Sequence, residues 1–198
     1  MKVIFLDIDG VLAIDYRHDD DYGSRFDINC VNNLRKIIYA TNAKIVCSSS
    51  WRKGGSKFPE LNGLEFIKSL WKKRDLPSEI IDVTSTLRLQ KGGCIGFYNN
   101  KLKQHPTPEI KGYSIPRGCE IEYWLDNEGQ FQRVNWSKNE QQKYIDKAVV
   151  KNYVILDDDS DMLYNQREHF VHCKSGLTNE VADKAIQILN SSLIELYY

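Results

Sequence analysis

The sequence predicts a layered α/β fold built on a mainly parallel central sheet. Three observations predict it. Short, continuously apolar runs recur along the chain, as strands buried on both faces require. Stretches of helical periodicity alternate with them, the pattern of successive crossover connections. Three of the apolar runs end directly in acidic or hydroxyl residues, and the carboxyl ends of parallel strands are where such sheets bind ligands.

The elements follow in order. Lys2–Leu6 (KVIFL) reads as the first buried strand. Residues 10–26 are polar, with Gly10, Gly23 and many aspartates, and read as a long loop or small hairpin. Asp27 suits the cap of a helix with Val31, Leu34, Ile37 and Ile38 on one face. Ala43–Cys47 (AKIVC) is a second strand. Beyond Gly54 and Gly55, Pro59 suits the first turn of a helix carrying Leu61, Leu64, Ile67, Leu70 and Trp71. Glu79–Val83 (EIIDV) is a third strand. Residues 84–116 hold clustered glycines and prolines without a clear period, and read as an elaborated loop insertion near a site. Ile121, Trp124 and Leu125 mark a short helix, and residues 138–149 another. Tyr153–Leu156 (YVIL) is the fourth strand, and a short helix around 160–167 leads to a fifth, His169–Cys173. Thr178 caps a last helix whose apolar positions include Val181, Ala182, Ala185, Ile186, Leu189 and Leu193.

Composition bounds the function. The 198 residues are 41% hydrophobic and 27% charged, which fits one globular domain over 1–198 with an insertion at 84–116. Lys+Arg and Asp+Glu both number 27, which excludes a uniformly basic nucleic-acid coat and leaves room only for local patches. No apolar run reaches the ~18 residues of a membrane span, so no membrane partner is expected. The opening MKVIFLDIDGVLA fails as a secretory signal because Asp7 and Asp9 interrupt its apolar stretch, and a cytoplasmic location is expected. Five scattered cysteines without a CxxC pair predict reduced thiols in place of disulfides or zinc. His169 and His172 flank an apolar pair and read as structural.

The chemistry stands at the strand ends. Asp7-Ile8-Asp9-Gly10 follows the first strand, Ser48-Ser49-Ser50-Trp51-Arg52 the second, and Asp157-Asp158-Asp159-Ser160-Asp161 the fourth. Singly, each is matched by a bland reading: an acidic turn in solvent, a helix cap, a surface arginine. Together they stand after three buried strands, which the bland readings do not predict. Carboxylates that converge without a counter-ion must share protons or bind a cation. An oxygen-only donor set suits Mg²⁺ better than zinc.

FLDIDGVL, IVCSSSWR and VILDDDSDM closely resemble the motifs of the haloacid dehalogenase (HAD) superfamily of phosphohydrolases. Within it the chain is similar to the small phosphatase-like domains associated with RNA-repair proteins. That narrower likeness rests on SSSWR, on Arg117-Gly118-Cys119-Glu120-Ile121 with Trp124-Leu125, and on Gly176-Leu177-Thr178. The resemblance spans nearly the whole chain apart from residues 87–112. It implies a Rossmann-like three-layer sandwich with a small cap or none. It also implies Asp7 as the nucleophile that forms an aspartyl-phosphate. Asp9 would be the acid/base that serves the leaving group and then the water, and the turn at Gly10 would bring both aspartates over one substrate. Mg²⁺ would be held by Asp7, the Asp9 main-chain carbonyl and Asp158. Asp157 then falls behind these ligands, and Asp161 is the alternative to Asp158. Ser48 matches the phosphate-binding hydroxyl, with Ser49 close behind. Arg52 either contacts phosphate or lies on the surface. Arg117 stands where the superfamily usually has a lysine to stabilise the phosphoryl group.

The substrate is less defined. Between Thr86 and Arg117 there are six Lys/Arg and one Asp/Glu, with Phe97, Tyr98 and Tyr113 among them; residues 52–74 add seven Lys/Arg against two Glu. Such stretches suit either a solvated face or the grip on a nucleic-acid end. The expected activity is a Mg²⁺-dependent phosphomonoesterase, with a nucleic-acid 3′-phosphate end as one candidate substrate. Phosphate transfer to another acceptor and a small phosphorylated metabolite are alternatives on the same site. A receiver-like signalling module or a silent phosphate-binding module is the alternative of another class. The oligomeric state stays open.

Overall fold

The computed structural model describes residues 1–16, 18–55, 57–89, 95–98, 113–127 and 150–191. β1 (Lys2–Leu6) leads into a hairpin of β2 (Asp19–Asp20) and β3 (Gly23–Ser24), then α1 (Ile28–Thr41), β4 (Lys44–Cys47), a 3-10 turn (Ser50–Lys53), α2 (Gly63–Lys73) and β5 (Ile80–Val83). There follow β6 (Thr86–Leu89), β7 (Ile95–Tyr98), β8 (Tyr113–Ser114), α3 (Arg117–Asn127), β9 (Asn152–Asp157), a 3-10 turn (Tyr164–Gln166), β10 (Phe170–His172) and α4 (Asn179–Asn190). Five strands form the central sheet in the order β10-β9-β1-β4-β5, and every pairing in it is parallel. The α/β sandwich expected from the sequence is therefore the fold.

The continuous apolar runs are explained by burial on both faces. Ile4 and Leu6 of β1 point into a core with Leu34 and Ile37 of α1, Ile67 and Leu70 of α2, and Ala182 and Leu189 of α4. Val3 and Phe5 point the other way, to Ile121, Trp124 and Leu125 of α3. Phe5 meets Trp124 edge-on at 5.3 Å and is fully buried, a contribution of about 1.5–3 kcal/mol for a side chain of this size. Among the described residues no helix is long and apolar enough to cross a membrane.

Helix starts follow their caps. Asp27 accepts from Asn29 N and Cys30 N, and Thr178 accepts from Val181 N. The second helix begins at Gly63, not at Pro59, because Asn62 and Glu65 form a reciprocal capping box that fixes the start four residues inside the expected one. Residues 84–116 hold more than a loop: β6, β7 and β8 form a small antiparallel sheet in the order β7-β6-β8. Strands of two and four residues are too short to show a period. The helix expected near 160–167 shrinks to the turn Tyr164–Gln166. Asp161 and Gln166 bond instead to the start of α3, at Arg117 N and the Gly118 carbonyl. The helix expected over 138–149 lies outside the described residues. Cys30, Cys47, Cys119 and Cys173 are free thiols, while Cys94 lies outside the described residues.

His169 is structural. It is buried, stacks on Tyr153 at 4.0 Å, and its Nδ1 lies 2.9 Å from the Tyr153 carbonyl oxygen, which makes that nitrogen the N–H donor. Burial holds its pKa below the ordinary value of 6.5, against the opposing pull of the Tyr153 bond. As pH falls, the unfolded chain therefore takes up this proton first. The stability contribution is complete above 6.5 and declines below it until the folded imidazole titrates. We expect the urea midpoint to drop as pH falls through this window, and His169→Gln to flatten the drop. An equal slope in the variant would show that other groups cause it.

Candidate active site

Parallel register brings three strand ends together. Leu6 of β1 pairs with Cys47 of β4 and Leu156 of β9, so the next residue of each strand emerges at one edge. Asp7 N donates to Leu156 O at 2.9 Å, and Ser48 N to Leu6 O at 3.0 Å. After Asp7 the chain closes a tight turn in which Leu12 N and Ala13 N both donate to Ile8 O. Gly10 sits in this turn with φ +67°, and a Cβ there would lie 2.1 Å from Asp158 Oδ2. Glycine both accepts the left-handed backbone and lets the Asp158 carboxylate lie against the turn. On the other side, His172 Nε2 lies 2.7 Å from the Asp158 carbonyl oxygen and helps to fix that loop.

Asp7, Asp157 and Asp158 each bring a carboxylate oxygen into one group whose members lie within 4.8 Å of one another. Asp7 is 7% exposed and Asp157 only 1%. Burial raises the pKa of Asp7, opposed by the Ser49 side chain and the Arg117 charge. Burial and then the Asp7 charge push Asp157 up to about 7. Asp157 Oδ1 accepts from Asp159 N at 3.0 Å. Its Oδ2 is buried without a hydrogen-bond partner among the described residues and lies 3.8 Å from Arg117 Nε. Three carboxylates that share this one guanidinium, one of them with a buried oxygen that no hydrogen bond satisfies, leave negative charge in excess. The donors are all oxygen, so the site fits a hard divalent cation. Asp157, expected behind the ligands, is thus one of the three converging groups and the most buried of them. Asp161 is turned elsewhere. Its Oδ2 accepts from Arg117 N at 2.8 Å, where it satisfies an open amide at the start of α3.

Asp9 is half-buried, and its Oδ2 accepts from Trp51 Nε1 at 2.9 Å. Burial raises its pKa, the Trp51 bond lowers it, and the Asp158 charge raises it further. Of the two serines, Ser49 is the one whose side chain favours the ionised Asp7 carboxylate. The Ser48 hydroxyl is fully buried with no partner among the described residues.

Arg52, expected at a phosphate or on the surface, is not on the surface, and it lines the pocket beside the carboxylates. It is 1% exposed. Its Nη1 donates to the Ser48 and Ser49 carbonyls, and its Nη2 to Glu120 Oε2. The guanidinium thus ties the end of β4 to α3 from inside. Glu120 is the residue that sequence reasoning missed. It is buried, it also accepts from Arg117 Nη1 at 3.2 Å, and its Oε1 accepts from Leu87 N of β6 at 2.9 Å. Its one sequence signal is the spacing Arg117-x-x-Glu120 on a helix. Burial works against the Arg117 charge, but Glu120, Asp7, Asp157 and Asp161 together strengthen its hold on its proton. A shallow pocket lined by Ser50, Lys53, Thr86, Arg117 and Asp161, among others, opens beside this network.

A parallel sheet whose carboxyl edge gathers three carboxylates, two serines and a charged arginine fits the HAD class, and the family match over residues 3–182 shows that class, with phosphatase-type hydrolase chemistry. Residues 3–182 match the family model described as "HAD domain in Swiss Army Knife RNA repair proteins", and the chain belongs to that family. No curated protein and no solved structure matches it.

Proposed function

We propose that the chain is a Mg²⁺-dependent phosphomonoesterase that works through an aspartyl-phosphate on Asp7. The observation that carries this reading is the convergence of Asp7, Asp157 and Asp158 within 4.8 Å, with Arg117 against them. Asp7, Asp157, Asp158 and the Asp9 main-chain carbonyl would hold the cation, and when bound it neutralises the repulsion between carboxylates and substrate phosphate. The Asp7 carboxylate attacks phosphorus and the P–O ester bond breaks. The leaving alkoxide takes its proton from the Asp9 carboxyl. Asp9, now ionised, takes a proton from water as the water oxygen attacks the phosphorus of the acyl phosphate. Inorganic phosphate leaves, and Asp7 is regenerated. Arg117, held charged by its carboxylate neighbours, stabilises the phosphoryl oxygens. Ser49 and Ser48 line the same strand end, and Arg52 keeps that strand end in place.

The proposed substrate is a nucleic-acid 3′-phosphate end. The RNA-repair family and the exposed lysines of residues 52–74 (Lys53, Lys57, Lys68, Lys72 and Lys73) support it. A Mg²⁺ assay on a 3′-phosphorylated oligoribonucleotide, run beside sugar phosphates and nucleotides, tests it. Release should cease on chelation, return with Mg²⁺, and fall steeply with salt on the oligonucleotide alone. Saturating Mg²⁺ should also raise the unfolding temperature, by about 2.7 kcal/mol of stability at a hundredfold excess over Kd, and Asp157→Asn should remove that gain. Turnover indifferent to chelation would reject the cation, and salt-independent turnover would reject the nucleic-acid end.

A further inference from the structure

The proposed acid/base, Asp9, is held by residues that the reaction itself does not use. Trp51 Nε1 donates to Asp9 Oδ2 at 2.9 Å. An indole N–H is a donor only. While this bond stands, Oδ2 acts as acceptor, and the exchangeable proton of the Asp9 carboxyl belongs on Oδ1. The bond therefore selects which oxygen exchanges protons and in which direction it points.

Trp51 is itself held from three sides. Phe26 packs against it with ring centroids 5.8 Å apart. The β2–β3 hairpin closes over its edge so tightly that a Cβ on Gly23 would lie 3.0 Å from Trp51 Cη2. Arg74, at the end of α2, lies 4.3 Å over the Phe26 ring and 5.8 Å from the Trp51 ring. Its fork reaches Asp20 at 2.8 and 3.2 Å, the Ser24 carbonyl at 2.9 Å and the Gly23 carbonyl at 3.1 Å. A single guanidinium thus fastens the hairpin to α2 and cages the indole between them.

We propose that Trp51, caged by Arg74 and the β2–β3 hairpin, is a positioning residue that fixes the Asp9 carboxyl with Oδ1 toward the leaving group. The proposal rests on the acid/base reading of Asp9 given above. Packing alone would need the ring but not its N–H.

Trp51→Phe removes the N–H and keeps an aromatic ring against Phe26 and Gly23. The readout is kcat/KM, which covers the steps through leaving-group departure, on an alkyl phosphate and on dinitrophenyl phosphate. The alkoxide needs a proton to leave; dinitrophenolate does not. We expect Trp51→Phe to lower kcat/KM on the alkyl ester by about 10–100-fold, the scale of a misplaced catalytic group, chiefly through kcat, and to leave the dinitrophenyl ester unchanged. In an Asp9→Ala background, Trp51→Phe should cost nothing further. Arg74→Ala, which frees the cage without touching Trp51, should reproduce the same leaving-group selectivity. Equal losses on both esters, no loss on either, or additivity with Asp9→Ala would overturn the proposal. If Asp9→Ala itself shows no leaving-group dependence, the acid/base reading falls and takes this inference with it. If Asp9→Ala shows it and Trp51→Phe does not, only this inference falls.

Discussion

Asp7→Asn is expected to lower phosphate release by about 10³-fold or more, the scale of losing a nucleophile, while the fold stands. Asparagine has nearly the same shape, and the main-chain bond from residue 7 to Leu156 O does not involve the side chain. The amide does not serve as the attacking oxygen, and it removes one negative charge from the group shared with Asp157 and Asp158. In cation-free buffer the variant should therefore unfold no earlier than the parent, because burial and the Asp158 charge already disfavour the ionised Asp7. With Mg²⁺ present, the parent should gain stability and the variant should gain much less. Inactivity with a melting curve no lower than the parent's in cation-free buffer supports a chemical role for Asp7. Retained turnover would reject it as the nucleophile.

The second large effect lies one layer behind the carboxylates. Arg52 and Glu120 form a buried ion pair, with side chains 2% and 5% exposed. Removing Glu120 leaves the Arg52 guanidinium in the interior without its counter-charge, which typically costs about 3–5 kcal/mol, whereas removing Arg52 leaves Glu120 still paired with Arg117. Glu120→Gln should lose about that much in urea unfolding, and Arg52→Met less. Activity should fall as well, because the same pair holds the Ser48–Ser49 strand end and the Arg117 side chain. Replacing both residues by methionine should recover part of the stability, since no unpaired charge is left from the pair. It should not recover activity, because Arg117 and the strand end are still unbraced. Single variants as stable as the parent would show that the pair is not closed in solution.

The difference between Glu120 and the strand-end acids shows what a sequence can carry. Asp7, Ser48 and Asp157 each follow a run of buried strand residues, so their place at the sheet edge is written locally. Arg52 and Glu120 are 68 positions apart and meet inside the protein. An arginine after a serine loop, or a glutamate one turn along a helix, looks the same in sequence whether it faces water or the core. Asp161 and Asp157 make the same point at shorter range. Both belong to one acidic cluster, but the chain leaves β9 and turns so that Asp157 stays buried while Asp161 reaches the start of α3. The small antiparallel sheet was hidden for another reason. Its strands run two to four residues, and it is made by pairing between segments, not by a pattern within any one of them.

By itself the sequence determined the layered α/β architecture, the helix caps at Asp27 and Thr178, and the strand ends at which acids and hydroxyls emerge. These depend on periodicity and on contacts between near neighbours, and both are legible along the chain. The tertiary structure decided which carboxylates converge, that Arg52 lies inside the protein, that Glu120 joins two arginines to β6, and that Trp51 holds Asp9. Those relations exist only after parallel pairing has brought residues 7, 48 and 157 to one edge. Burial, which gives a charge its energetic weight, is a property of the packed fold and not of the residue type.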